Sequence, residues 1–166
     1  MKTVLFLCVY NASRSVMAEA ILNQVGKDRF RAFSAGERAI GAVHPLTLQA
    51  LAHNGISTEG LRSKSWAHFF GLGAPKMDYL ITVCDETLEE MGSHDPTAPI
   101  EARWPTANPL LGGRTEAEHC EALARTYRLL RARVEALVAL PLESMDRETT
   151  RKELAAIGQR LTLQSF

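Results

Sequence analysis

The chain has 166 residues, 46% of them apolar and 23% charged, an ordinary globular mixture large enough to bury a core as one domain spanning residues 1–166. Lys plus Arg and Asp plus Glu both number 19, so the formal net charge is zero and no global electrostatic case exists for a nucleic-acid or anionic-membrane partner. No apolar run approaches the roughly 20 residues of a membrane span, and the three cysteines, Cys8, Cys84 and Cys120, make neither a disulfide framework nor a zinc cluster.

The first segment, TVLFLCV, is a continuous apolar run over Val4 to Val9, the pattern of a strand buried on both faces in a parallel sheet. It is too short for a signal peptide and runs straight into YNASRS, so a cytoplasmic location with reduced thiols is expected. From Ser15 the spacing of Val16, Ala20, Ile21 and Val25 predicts a helix that Gly26 stops. FRAFSAG (30–36) reads as a second strand, and HPLTLQALAHNG (44–55) as a helix with Pro45 in its first turn. MDYLITVCD (77–85) is the third strand and IEARW (100–104) the fourth, halted by Pro105.

Two helices complete the chain. Residues 115–139 carry an apolar stripe of Leu123, Tyr127, Leu130, Val134 and Leu137. Residues 146–160 begin at Asp146 as N-cap, and the LTLQSF tail is expected to fray. Strands alternating with helices predict an α/β fold: a three-layer domain with a four-stranded parallel sheet and right-handed crossovers.

In such sheets ligands sit beyond the carboxyl ends of the strands. Cys8 lies there, and residues 9–14 turn back into a helix beginning near Arg14. A turn of this kind gathers backbone N–H groups into a concavity, and the helix dipole adds positive character. Arg14 contributes a planar fork suited to two oxygens of a tetrahedral oxyanion. These surroundings are expected to hold Cys8 as a thiolate, with Ser15 donating to the sulfur and Asn11 bracing the loop in left-handed backbone. The anion loop thus comprises Val9, Tyr10, Asn11, Ala12, Ser13 and Arg14.

Cys8-x5-Arg14-Ser15 after an apolar strand resembles the phosphate-binding loop of the low-molecular-weight protein tyrosine phosphatase superfamily. RSVMAEAIL, FSAG, GLRSKSW, MDYLITVCD, ARW and LRARVEALVALPLESMDR resemble its arsenate reductase branch, coupled to thioredoxin or small thiols. The resemblance spans nearly the whole chain and implies the sheet order 2-1-3-4. It implies Cys8 as nucleophile, Arg14 as oxyanion clamp, and Cys84 or an external thiol as the second reductant in converting arsenate to arsenite. Strands one and three would then be neighbours about 4.8 Å apart, within reach of a Cys8–Cys84 bridge. No tightly bound cofactor is implied, only a thiol donor as co-substrate: thioredoxin, glutaredoxin with glutathione, or mycothiol. Some reductases bind potassium at positions resembling Asn11, Glu19 and Ser34; no other metal is expected.

The sequence departs from this pattern in three places. Met91 and Gly92 fall where thioredoxin-coupled relatives carry a further cysteine. Asn108-Pro109 stands where the family has an Asp-Pro general acid, and acid catalysis worth about 10²–10⁴-fold would be missing there. Asp95-Pro96 is the substitute position, although Asp-Pro is also an ordinary turn, and Asp85 is a further carboxylate at the same edge. Tyr10 takes a position often held by glycine and would narrow the pocket toward a small oxyanion. Cys120, Trp66 and Trp104 read as packing residues, and His44 and His94 as turn or surface residues. An arsenate reductase is therefore expected, with a phosphomonoesterase acting through a Cys8 phosphoenzyme as the alternative. A non-catalytic oxyanion-binding or partner-docking module is the third reading.

Overall fold

The computed structural model describes residues 1–86, 96–112 and 114–166. Strand β1 (Lys2–Cys8) lies at the centre of a parallel four-stranded sheet, between β2 (Phe30–Gly36) and β3 (Tyr79–Thr82), with β4 (Ile100–Arg103) at the edge. The order β2-β1-β3-β4 is the expected one. β1 takes the centre because its residues are apolar on both sides of the pleat: Val4, Leu5 and Phe6 are all fully buried. Register runs from Lys2 opposite Phe30 to Cys8 opposite Gly36, and from Val4 opposite Tyr79 to Leu7 opposite Thr82.

Helix α1 (Arg14–Val25) packs on β1 and β2, and every residue from Arg14 to Leu22 is buried. Helix α2 (Pro45–His53) has Pro45 at its first position, and His44 caps it by accepting the Leu46 N–H on Nδ1 at 3.1 Å. Helix α3 (Glu116–Val138) opens on a capping box between Thr115 and Glu118 and packs across α1, α2 and α4. Helix α4 (Arg147–Arg160) is capped by Asp146, which accepts the Thr149 N–H at 2.7 Å, and lies against β4. Ser34 of β2 bonds to α1, so by alternation Phe33 faces the opposite way, where it meets Phe69 at 5.5 Å between ring centroids. Among the described residues, no helix is long and apolar enough to cross a membrane.

Several boundaries differ from the sequence reading. β3 is limited to Tyr79–Thr82 instead of 77–85. At its start the Asp78 carboxylate takes the Thr3 N–H (2.8 Å) and hydroxyl (3.1 Å), while the Asp78 N–H still reaches the Thr3 carbonyl at 2.9 Å. At its end, Val83 makes a last bond to the Leu7 carbonyl and the chain bends toward Arg14. The tail forms a short 3₁₀ turn over Leu163–Ser165, tied by reciprocal Thr162 and Ser165 bonds, and two more such turns, Trp66–Phe69 and Leu142–Ser144, were invisible to periodicity. Trp104 is a core residue as expected, whereas Cys120 is exposed: its position on α3 lies off the stripe that packs.

Candidate active site

The loop joining β1 to α1 is held from outside by its carbonyls. Those of Val9, Tyr10 and Ala12 accept the amides of Arg38 (2.7 Å), Ile40 (3.3 Å) and His44 (3.0 Å). In a planar trans peptide the following N–H points the opposite way, so the amides of Tyr10, Asn11 and Ser13 turn inward. The Asn11 N–H lands on the Cys8 sulfur at 3.2 Å. Asn11 itself has φ of 49°, the left-handed value anticipated for it. Gly36 makes this crossing feasible: a Cβ there would stand 2.7 Å from the Val9 carbonyl oxygen and 2.9 Å from the Asn11 nitrogen. Ser13 anchors the loop to α2 by accepting the Thr47 hydroxyl at 2.8 Å. Tyr10 is exposed at the rim.

Cys8 is 2% exposed, with its sulfur 2.8 Å from the Ser15 hydroxyl. Asn11 Nδ2 donates to Ser15 Oγ (2.8 Å) and to Ser34 Oγ (3.0 Å), while Asn11 Oδ1 accepts the Lys64 N–H at 2.7 Å. Ser34 donates to Glu19 Oε2 at 2.5 Å, and the Lys64 ammonium stands 3.6 Å from the same oxygen. Burial raises Glu19 and lowers Lys64, each partly offset by the charge of the other. The three residues matching the expected potassium positions are therefore together, in company with a lysine that the sequence reading passed over within GLRSKSW.

Arg14 is 3% exposed, and both its terminal nitrogens donate. Its Nη1 donates to the Thr106 carbonyl (2.8 Å), Glu86 Oε2 (3.0 Å) and Asp85 Oδ1 (3.2 Å), and its Nη2 to Glu86 Oε1 (3.0 Å). Burial works against this guanidinium, but the hydrogen bonds and charge of Glu86 outweigh it and raise its pKa. Burial alone would likewise raise Glu86; the hydrogen bonds and charge of Arg14, with its own backbone N–H, hold it below the ordinary range. Glu86 was not anticipated. Its signal was adjacency, as it follows Cys84-Asp85 at the end of a strand pointing to the same edge.

Cys84 lies just past the end of β3, next to the strand that ends in Cys8, and both are free, buried thiols. Its sulfur donates to the Glu86 carbonyl at 3.7 Å. Burial, then the neighbouring Cys8 sulfur, push its pKa up to about 12, with Arg14 acting in the opposite sense. Asn108 is used differently from an acid: its Oδ1 accepts the Leu110 N–H at 3.0 Å, closing a turn. Asp95, Met91, Gly92 and His94 lie outside the described residues.

A second unanticipated residue stands behind the site. Arg133 on α3 is 1% exposed and donates to the carbonyls of Trp104 (3.0 Å), Pro105 (3.0 Å), Gly158 (3.2 Å) and Leu161 (2.8 Å), and to the Thr106 hydroxyl (2.9 Å). Burial brings its pKa down to about 10. Arg133 braces the segment whose Thr106 carbonyl orients Arg14. Helical spacing already places it beside Leu130 and Val134; its charge hid it.

Residues 3–151 match the family model for low molecular weight phosphotyrosine protein phosphatases. No curated protein matches the chain. Among solved structures, an arsenate reductase in the phosphate-binding state is 25% identical with a TM-score of 0.65, the match covering 84% of this chain and 98% of the other. The arsenate reductase from Archaeoglobus fulgidus is 30% identical with a TM-score of 0.60, over 80% and 98%. A low molecular weight protein tyrosine phosphatase from T. tengcongensis shares the fold, at 21% identity and a TM-score of 0.60 over 83% and 98%.

Proposed function

Because the chain belongs to the low molecular weight phosphotyrosine protein phosphatase family, we propose that it uses that family's anion loop as an arsenate reductase. The observation that carries this reading is the pair of free, buried thiols, Cys8 and Cys84, at the ends of adjacent parallel strands and both within the field of Arg14. Hydrolysis of a phosphate ester needs one nucleophilic sulfur; two-electron reduction needs two. The similarity to arsenate reductases at 25% and 30% identity supports the same choice.

Arsenate enters the loop, its oxygens taken by the inward amides and by Arg14, which exchanges Glu86 for the ligand. The Cys8 thiolate attacks arsenic, and one oxygen leaves as water. The Cys84 thiol then attacks the Cys8 sulfur, its proton passing to an oxygen of the arsenic adduct. A disulfide forms as the S–As bond breaks, and its electron pair stays on arsenic, which departs as arsenite. Arsenate and two thiols thus give arsenite, one disulfide and one water. An external thiol donor, thioredoxin, glutaredoxin with glutathione, or mycothiol, reduces the disulfide; a small thiol can instead take the place of Cys84. Asn108 supplies no proton, which hinders ester hydrolysis more than arsenate chemistry, where As–O bonds exchange readily.

Arsenite formation by the reduced protein with each donor system tests this reading. Turnover that Cys8→Ser abolishes and Cys84→Ser cripples, with a Cys8–Cys84 bridge seen by mass spectrometry, is expected. The second reading, phosphatase activity, is favoured by the family itself, and hydrolysis of an aryl phosphate unaffected by Cys84→Ser, without arsenite formation, would establish it. Neither activity would leave an oxyanion-binding module.

A further inference from the structure

The resemblance to the arsenate reductase branch implies a potassium site near Asn11, Glu19 and Ser34, so these three residues need to be tested as a cation site. A cation requires oxygen lone pairs. Asn11 Oδ1 is committed to the Lys64 backbone N–H at 2.7 Å, and because a backbone donor can only be met by an oxygen, the orientation of the amide follows. Its NH₂ group therefore faces the cluster, donating to Ser15 and Ser34. Ser34 accepts that bond and gives its own proton to Glu19. Glu19 Oε2 has the Lys64 ammonium 3.6 Å away, in a pair whose side chains are only 12% and 9% exposed. The donor set does not fit an alkali cation: one of its three members presents N–H groups, and the carboxylate already has a positive partner.

We infer that Lys64 is the resident cation of this cluster, standing where potassium would and holding Glu19 as the accepting end of the hydrogen-bond chain that runs to Cys8. The chain has a direction. An ionised Glu19 can only accept, so the Ser34 proton points to it and the Ser34 lone pair faces Asn11. Asn11 in turn occupies a lone pair of Ser15 Oγ, which leaves the Ser15 proton for the Cys8 sulfur, 2.8 Å away. Burial favours a protonated Glu19, which would be able to donate to Ser34 and reverse that one bond; the Lys64 ammonium opposes this, while the Asn11 amide, held by the Lys64 backbone N–H, keeps its direction in either case. Arg62 is the other charged group acting on the pair, repelling Lys64 while favouring the Glu19 anion. Lys64 thus acts through its ammonium on Glu19 and through its backbone N–H on Asn11. The inference stands whether the oxyanion is arsenate or a phosphate ester, since its tests involve neither.

The test compares melting temperature and site-resolved alkylation of Cys8 by iodoacetamide in KCl, NaCl and choline chloride at equal ionic strength. The native protein should behave alike in all three. Lys64→Met leaves the Glu19 carboxylate without its partner and should lower the melting temperature in all three salts, and Lys64→Arg, which keeps the charge, should recover most of the loss. A potassium-specific rise in melting temperature or alkylation rate of the native protein would overturn the inference. So would an unchanged melting temperature in Lys64→Met. The salt comparison needs no variant, so a poorly folding Lys64→Met leaves it decisive.

Discussion

Glu86 grips Arg14 through two N–H···O contacts of 3.0 Å, one from each terminal guanidinium nitrogen, the geometry a bound oxyanion would itself require. The fork that the proposed mechanism offers to the ligand is thus held by a carboxylate of the same chain, and on that reading binding is an exchange. Glu86→Gln removes the competing charge and should tighten inorganic phosphate binding about 3–10-fold, the order of a partly exposed ion pair. Titration calorimetry decides it, and weaker binding in the variant would instead make Glu86 part of the ligand site.

The same pair fixes a pH dependence. Glu86 is held below its ordinary value of 4.5, so the folded state binds its proton less readily than the unfolded chain. Its contribution to stability is present above pH 4.5 and is lost as pH falls through the depressed folded value. The difference in melting temperature between the native protein and Glu86→Gln should be largest near neutrality and shrink steadily below pH 4.5. A difference that grows on acidification contradicts the ion pair.

The two buried thiols should differ in reactivity. With its pKa pushed up to about 12, Cys84 stays a protonated thiol at pH 8, whereas exposed Cys120 and loop-held Cys8 should alkylate first. Peptide mapping after graded iodoacetamide treatment gives the order. Labelling of Cys84 before Cys8 would reverse the roles assigned to them.

Gly36→Ala tests the crossing of the loop over β2. The added methyl would meet backbone of Val9 and Asn11, neither of which can yield without displacing the amide aimed at the Cys8 sulfur. A cost of about 1–3 kcal/mol in stability is expected, with phosphate affinity falling as well, read by denaturant unfolding and calorimetry.

Arg133→Met removes the donors of several buried carbonyls at once. A loss of about 3 kcal/mol or more is expected. Arg133→Lys should recover little of it, because an ammonium cannot reproduce the planar fork that reaches Trp104, Pro105, Gly158 and Leu161 together. Full recovery with lysine would reduce the role of Arg133 to its charge.

What the sequence determined by itself is what depends on neighbours along the chain. The apolar run ending in Cys8, the five residues before Arg14, Asn11 in left-handed backbone, Pro45 at a helix start and the capping residue Asp146 all act within a few residues. Hydrophobic periodicity and local hydrogen bonding declare such features before any tertiary contact forms. The tertiary structure alone decided which charges meet: Glu86 and Asp85 with Arg14, Lys64 with Glu19, Arg133 with four carbonyls. Each joins segments at least 25 residues apart, and a charged side chain reads as solvated until the fold closes around it. Packing then removes water and leaves each charge to find its partner across the sheet edge.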